Sequence, residues 1–161
     1  MKARSELKLD RLDLKILHEL QTDSTITYRT LSERVALSPS ACVGRVKQME
    51  EAGIISGYHA AIAIERVRPT LIMIAEISLA SHSVEDLERF DRLLLGTREV
   101  VEVMRVNGPF DYIVRIMLPG VAEWHAFAKR LLLPDYKVQK MTTHVVMQEL
   151  KPFAGYPVQV K

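Results

Sequence analysis

Two periodicities divide this chain. Up to residue 53 apolar positions recur every three or four residues; beyond residue 70, short apolar runs alternate with two further amphipathic stretches. Leu9, Leu12, Ile16, Leu17 and Leu20 form one stripe, which predicts a helix over 9–20 capped by Asp10. Gln21-Thr22-Asp23-Ser24 reads as a loop. Thr27 then caps a second helix over 28–35, with Leu31 and Val35 facing inward. After a four-residue joint, Val35-Ala36-Leu37-Ser38, a third helix opens at Ser38. Pro39 suits its first position, because the missing N–H would have been unpaired there. Cys42, Val46 and Met49 give this helix a narrow inward stripe, and Gly53 is its expected stop.

The second half reads differently. Residues 70–79 predict a strand, Ser83 caps a helix carrying Leu87, Phe90 and Leu94, and strands follow over 100–106 and 110–118 around Asn107-Gly108-Pro109. A helix over 121–132 turns Trp124, Phe127, Ala128 and Leu131 inward, and 138–150 contains the last strand. The order β-α-β-β-α-β is the ferredoxin-like split pattern, an antiparallel sheet with both helices on one face. Leu71-Ile72-Met73-Ile74-Ala75, Ile113-Val114 and Ile116-Met117-Leu118 are apolar on both faces. The face without helices therefore calls for an apolar cover, and a second copy of the same sheet, in a two-fold dimer, supplies one most simply.

These elements predict an α+β chain. An N-terminal helix-turn-helix (winged-helix-like) domain is joined by an extended hinge to a ferredoxin-like βαββαβ domain. Expected boundaries are 1–57 for the first domain, 58–69 for a hinge strand or linker, 70–151 for the second domain and 152–161 for a tail.

Composition narrows the class. The chain has 161 residues, 48% of them hydrophobic, and 22 Lys+Arg against 20 Asp+Glu. Near-balance excludes a generally basic nucleic-acid coat, so DNA binding would need a local patch. Apolar runs are too short for a membrane span and no charged-then-apolar leader opens the chain, so no membrane partner is expected. A single cysteine, Cys42, excludes an internal disulfide and fits a reducing compartment; the expectation is a soluble cytoplasmic protein.

Enzyme chemistry is not apparent. There is no Ser-His-Asp arrangement, glycine-rich phosphate loop or carboxylate pair, and His59, His82, His125 and His144 are scattered without metal-ligand spacing. No catalytic residue, metal or cofactor is expected. The third helix is more informative. Its outward face carries Ser40, Ala41, Val43, Gly44, Lys47 and Gln48, with Arg45 at the edge of the stripe and no acidic group. Small residues and long polar donors suit a major groove, and Arg29, Arg34, Arg45 and Lys47 cluster nearby with Glu33 their only acidic neighbour before Glu50. The same pattern fits a plain helical bundle segment with no nucleic acid.

Several longer stretches are family-like. They include Leu9-Asp10-Arg11-Leu12-Asp13-Leu14-Lys15-Ile16-Leu17, Leu37-Ser38-Pro39-Ser40-Ala41-Cys42 and Arg45-Val46-Lys47-Gln48-Met49-Glu50-Glu51-Ala52-Gly53-Ile54-Ile55, then Gly57-Tyr58. Gly108-Pro109-Phe110-Asp111-Tyr112 and Thr143-His144-Val145-Val146-Met147-Gln148-Glu149 follow. Over residues 9–151 the chain resembles the Lrp/AsnC (feast/famine, leucine-responsive) family of bacterial and archaeal transcription regulators. The resemblance implies an N-terminal domain for operator DNA, and a C-terminal domain for dimerisation and sensing of an amino acid or related metabolite. It also implies homodimers that often assemble into octamers, and association with the nucleoid.

Ser38, Ser40, Arg45, Lys47 and Gln48 fall where the family contacts DNA, and Thr27 and Arg29 join them as DNA-binding candidates. Arg45 either serves a phosphate or pairs within its own domain. The family's effector pocket lies near the turn between the second and third strands, which makes Asn107, Gly108, Phe110, Asp111 and Tyr112 candidates, with Thr142 and Thr143 as hydroxyl donors. A glycine turn exposes N–H groups to a carboxylate, and an Asp can hold an ammonium; Asp111 could equally satisfy backbone N–H groups of a plain hairpin.

Three departures stand out. Ala36 occupies a joint position where the family commonly has Gly, Gly44 sits mid-helix where longer residues are usual, and Leu133-Pro134-Asp135-Tyr136-Lys137-Val138 replaces Leu-Pro-Gly-Val. Gly44 loses helix propensity and can permit a closer approach to DNA. Two other readings share the fold: a siroheme-decarboxylase-like enzyme, and an architectural DNA-compacting protein without ligand response.

Overall fold

A computed structural model describes residues 7–158. These fall into two compact units, one of residues 7–61 with 151–158, the other Ile62–Leu150.

The first unit holds helices α1 (Arg11–Thr22), α2 (Tyr28–Val35) and α3 (Pro39–Glu51). Asp10 caps α1 as the sequence suggests, and a capping box closes it: the Asp10 side chain accepts from the Asp13 N–H while the Asp13 side chain accepts from the Asp10 N–H. Thr27 and Ser38 cap α2 and α3 through the N–H groups of Thr30 and Ala41. Ala36 ends α2 in the left-handed region, φ 56°, so the joint has the shape that glycine usually supplies. Ile16, Leu31, Val35, Cys42, Val46 and Met49 are buried together, ringed by Leu9, Leu17, Leu20, Leu37 and Ile55. Burial also pushes the Cys42 thiol pKa up.

The described part of the C-terminal tail belongs to this unit. Tyr156 N–H donates to Gln21 Oε1 at 2.6 Å, and Gln21 Nε2 donates to the Tyr156 carbonyl at 3.3 Å. Gly155 makes the approach possible: its φ is 111°, and a Cβ there would lie 2.9 Å from Gln21 Oε1. The expected hinge, 58–69, pairs with no strand among the described residues and contains a 3-10 turn, Ile64–Arg66.

In the second unit, β1 (Leu71–Leu79), α4 (Val84–Leu95), β2 (Val100–Arg105), β3 (Tyr112–Leu118), α5 (Val121–Leu131) and β4 (Val138–Val145) follow the predicted order. The sheet runs β2-β3-β1-β4, and every pair is antiparallel. Met73, Ala75, Ile77 and Leu79 alternate with half-buried neighbours on β1, as Tyr112, Val114, Ile116 and Leu118 do on β3. All of these inward residues except Met73 pack with Phe90, Leu94, Phe127 and Leu131 of the helices. The opposite face is less uniformly apolar than the runs suggest. It carries Ile72, Ile74, Ile113 and Met117, but Glu76 and Arg115 sit among them, each beside an isoleucine across the β1–β3 ladder. β4 lies within the expected 138–150 and ends at Val145, with one further bond from Val146 N–H to the Ile72 carbonyl.

Candidate DNA interface and effector site

The outward face of α3 is built from Ser40, Val43, Gly44, Lys47 and Gln48, all exposed, with no carboxylate between Pro39 and Met49. Thr27 and Ser38 do their capping work at the exposed starts of α2 and α3, and Ser38 Oγ lies 3.1 Å from Ser40 Oγ. Arg29 and Lys47 make only loose pairs with Glu33 and Glu51, at 3.6 and 3.8 Å. Such exposed pairs hold their partners by about 0–1 kcal/mol, so both cations can turn to a phosphate.

Arg34 and Arg45 are engaged differently. Arg34 Nη1 lies 2.7 Å from Glu19 Oε2, which ties α2 to α1. Arg45 Nη1 lies 2.7 Å from both Asp10 Oδ2 and Asp13 Oδ1, which ties α3 to the cap of α1. Of the two roles open to Arg45, the structure displays the pairing within the domain. The Asp13 and Asp10 bonds raise the Arg45 pKa, and the Asp13 N–H and Arg45 hold the Asp10 carboxyl below its usual range. Asp10 was legible as a helix cap, but the Asp13 half of the capping box was not read, and the partner both carboxylates share, Arg45, lies more than thirty residues away.

The turn between β2 and β3 closes with Val106 N–H donating to the Asp111 carbonyl at 2.9 Å. Asn107, Gly108 and Pro109 are exposed at its tip and Phe110 is half-buried. Gly108 has φ 143°, a conformation that L side chains rarely adopt, and a Cβ there would meet nothing within 4 Å. The Asp111 side chain does not serve its own turn. Its Oδ2 accepts the Leu79 N–H at 2.8 Å, and its Oδ1 lies 2.8 Å from His82 Nε2. Burial pushes the Asp111 pKa up, but the Leu79 and His82 bonds outweigh it and hold the carboxyl below its usual value.

The other three predicted effector residues do not lie on one face of the sheet. Tyr112 is fully buried on the helix side, where its hydroxyl donates to Asp91 Oδ1 at 2.9 Å and Arg105 stacks 5.6 Å from the ring centroid. Burial, then Asp91, pushes its pKa up to about 12. Thr142 and Thr143 do not share a face. Thr142 stands opposite Glu76 on the open face and Thr143 opposite Ala75 on the helix side, because successive strand residues alternate. Asn107, Gly108, Phe110 and Asp111 are brought together. His82 joins them unannounced: it lies in the loop before the Ser83 cap, and nothing local in the sequence aims it at Asp111.

Comparison with known proteins identifies both domains. A model of the AsnC-type helix-turn-helix domain matches residues 9–50, and a model of the Lrp/AsnC ligand binding domain matches 72–155. The leucine-responsive regulatory protein of Haemophilus influenzae is 35% identical over 94% of this chain and 91% of its own length. That of Escherichia coli K12 is 35% identical over 93% of this chain and 92% of its length. The crystal structure of an AsnC family transcriptional regulator from Agrobacterium tumefaciens has a TM-score of 0.86 at 35% identity, covering 93% of this chain and 97% of that one.

The chain belongs to the Lrp/AsnC family.

It is thus a DNA-binding transcription regulator, with its helix-turn-helix in α1–α3 and its ligand-binding domain in the ferredoxin-like unit. A second crystal structure, of a transcriptional regulator from Neisseria meningitidis in complex with L-Met, has a TM-score of 0.86 at 32% identity, covering 94% of this chain and 97% of that one. Among the described residues no helix is long and apolar enough to cross a membrane.

Proposed function

We propose that this Lrp/AsnC regulator binds operator DNA as a dimer or larger assembly, and that an amino acid at the β2–β3 turn alters its occupancy in the cytoplasm. The reading includes no catalytic step. On the DNA side, Ser40, Lys47 and Gln48 meet the groove, Arg29 and the capped starts of α2 and α3 at Thr27 and Ser38 meet phosphates, and Arg45 positions α3. The partner of the open sheet face is a second copy of this chain, covering Ile72, Ile74, Ile113 and Met117. Two recognition helices then lie about one DNA turn apart, or a multiple of it.

The observation that carries the effector half is the Asp111 carboxylate, ionised and held beside the Gly108 turn with its side chain 23% exposed. A carboxylate in that state suits the ammonium of an amino acid, and the backbone N–H groups of the turn suit its carboxylate. The Neisseria relative bound to L-Met supports the same ligand class. Melting of the full-length protein with each of the twenty amino acids tests this, since a binder raises the midpoint by mass action. At least one amino acid should raise it, and Asp111→Asn should remove the shift. If every amino acid leaves the wild-type midpoint unmoved, the effector half of the reading fails.

A further inference from the structure

Val43 and Gly44 are neighbours on the outward face of α3, and the packing of their own domain asks for neither. The other large apolar side chains of this helix, Val46 and Met49, are 1% exposed or less, as is Cys42, whereas Val43 is 42% exposed. A β-branched residue on an open helix surface lowers helix propensity and here covers no core. Gly44 is exposed in the middle of a 13-residue helix, its φ is not positive, and a Cβ there would meet nothing within 4 Å. Neither a turn nor a close approach within the domain requires a glycine, and alanine would make a stronger helix.

Two unforced choices side by side, on the face that an AsnC-type helix-turn-helix turns to DNA, have one common explanation. Gly44 lies between Ser40 and Gln48 on an i, i+4 row, and Val43 lies one turn before Lys47. Arg45 is held by Asp10 and Asp13, so it does not fill the space beside them. The apolar feature that base edges offer in the major groove is the thymine 5-methyl group. Phosphates reward a donor or a cation, and valine has neither. We infer that Val43 reads a thymine methyl and that Gly44 lets the α3 backbone seat against the bases, so that each half-site carries a T·A pair chosen by apolar contact. A longer side chain at position 44 would hold the helix away and weaken the reach of Ser40 and Gln48 along the same row.

The test starts from a duplex enriched out of a randomised pool by the full-length protein. Each thymine of that duplex is replaced in turn by deoxyuridine, which removes only the methyl group. One thymine per half-site should matter, its loss weakening wild-type binding about fourfold, the worth of one buried methyl. Val43→Ser should bind the thymine and deoxyuridine duplexes equally. Gly44→Ala should act in opposite directions on two readouts: a higher melting temperature for the free protein, and roughly tenfold weaker binding to the enriched duplex. Wild-type indifference to every deoxyuridine replacement, or a methyl penalty that persists in Val43→Ser, overturns the thymine reading. Wild-type affinity in Gly44→Ala overturns the close approach. A pool that enriches no sequence would overturn specific DNA binding itself, and this inference with it.

Discussion

Arg45 on the recognition helix and Asp13 on α1 meet at 2.7 Å, joining two residues thirty-two positions apart. The same Asp13 carboxylate accepts the Asp10 N–H through its other oxygen at 2.9 Å. One side chain therefore closes the cap of α1 and anchors α3, so the pose of the helix presented to DNA depends on how α1 begins. Asp13 is only 8% exposed, and the positive charge beside it offsets the cost of keeping its carboxylate out of water.

Arg45→Ala should therefore act on stability before it acts on phosphate binding. After discounting for solvent at a partly exposed pair, the loss is about 1–2 kcal/mol, read as a lower urea midpoint. The slope of log affinity for DNA against log salt should stay at the wild-type value, whereas Arg29→Ala should reduce it by about 1 per bound subunit. A reduced slope in Arg45→Ala would return Arg45 to the phosphates.

Ala36→Gly should stabilise the helix-turn-helix unit. At φ 56° the alanine Cβ crowds the neighbouring carbonyl, and glycine relieves this at some cost in unfolded-chain entropy. The net gain should be about 1 kcal/mol in urea unfolding. An unchanged midpoint would mean that the packed joint absorbs the strain elsewhere.

Asp111 links the stability of the ferredoxin-like unit to pH. Its folded pKa lies below the ordinary 3.8, so the unfolded chain takes up this proton more readily than the folded one. The resulting stabilisation is complete above roughly pH 5 and fades as pH falls through 3.8 towards the lower folded value. Stability measured from pH 6 to pH 2.5 should fall more gently in Asp111→Asn than in wild type. Parallel curves would show that the Leu79 and His82 bonds do not favour the charged form.

Tyr112→Phe separates a core role from a ligand role. It removes the hydroxyl that Asp91 accepts, while Arg105 still pairs with Asp91, and should cost about 1 kcal/mol. The thermal shift produced by the best amino acid should be retained. A lost shift with unchanged stability would place Tyr112 at the effector instead.

Much of the molecule was legible residue by residue. The stripe of Cys42, Val46 and Met49, the caps at Asp10, Thr27, Ser38 and Ser83, and the βαββαβ order all follow from interactions within a turn or two of chain, and such interactions leave a period in the sequence. Resemblance over nearly the whole chain then carried the family. Tertiary structure decided the rest, because those features depend on which distant segment arrives and in what phase. The β1–β4 register sent Thr142 and Thr143 to opposite faces. The hairpin turned Tyr112 into the core and set Asp111 against Leu79 and His82. Gln21 found its partner at Tyr156, 135 residues on. On α3 the periodicity placed Arg45 at the edge of the buried stripe, with the outward residues beside it. Only the fold showed that two carboxylates of α1 hold that arginine, leaving Val43 and Gly44 open on the outward face.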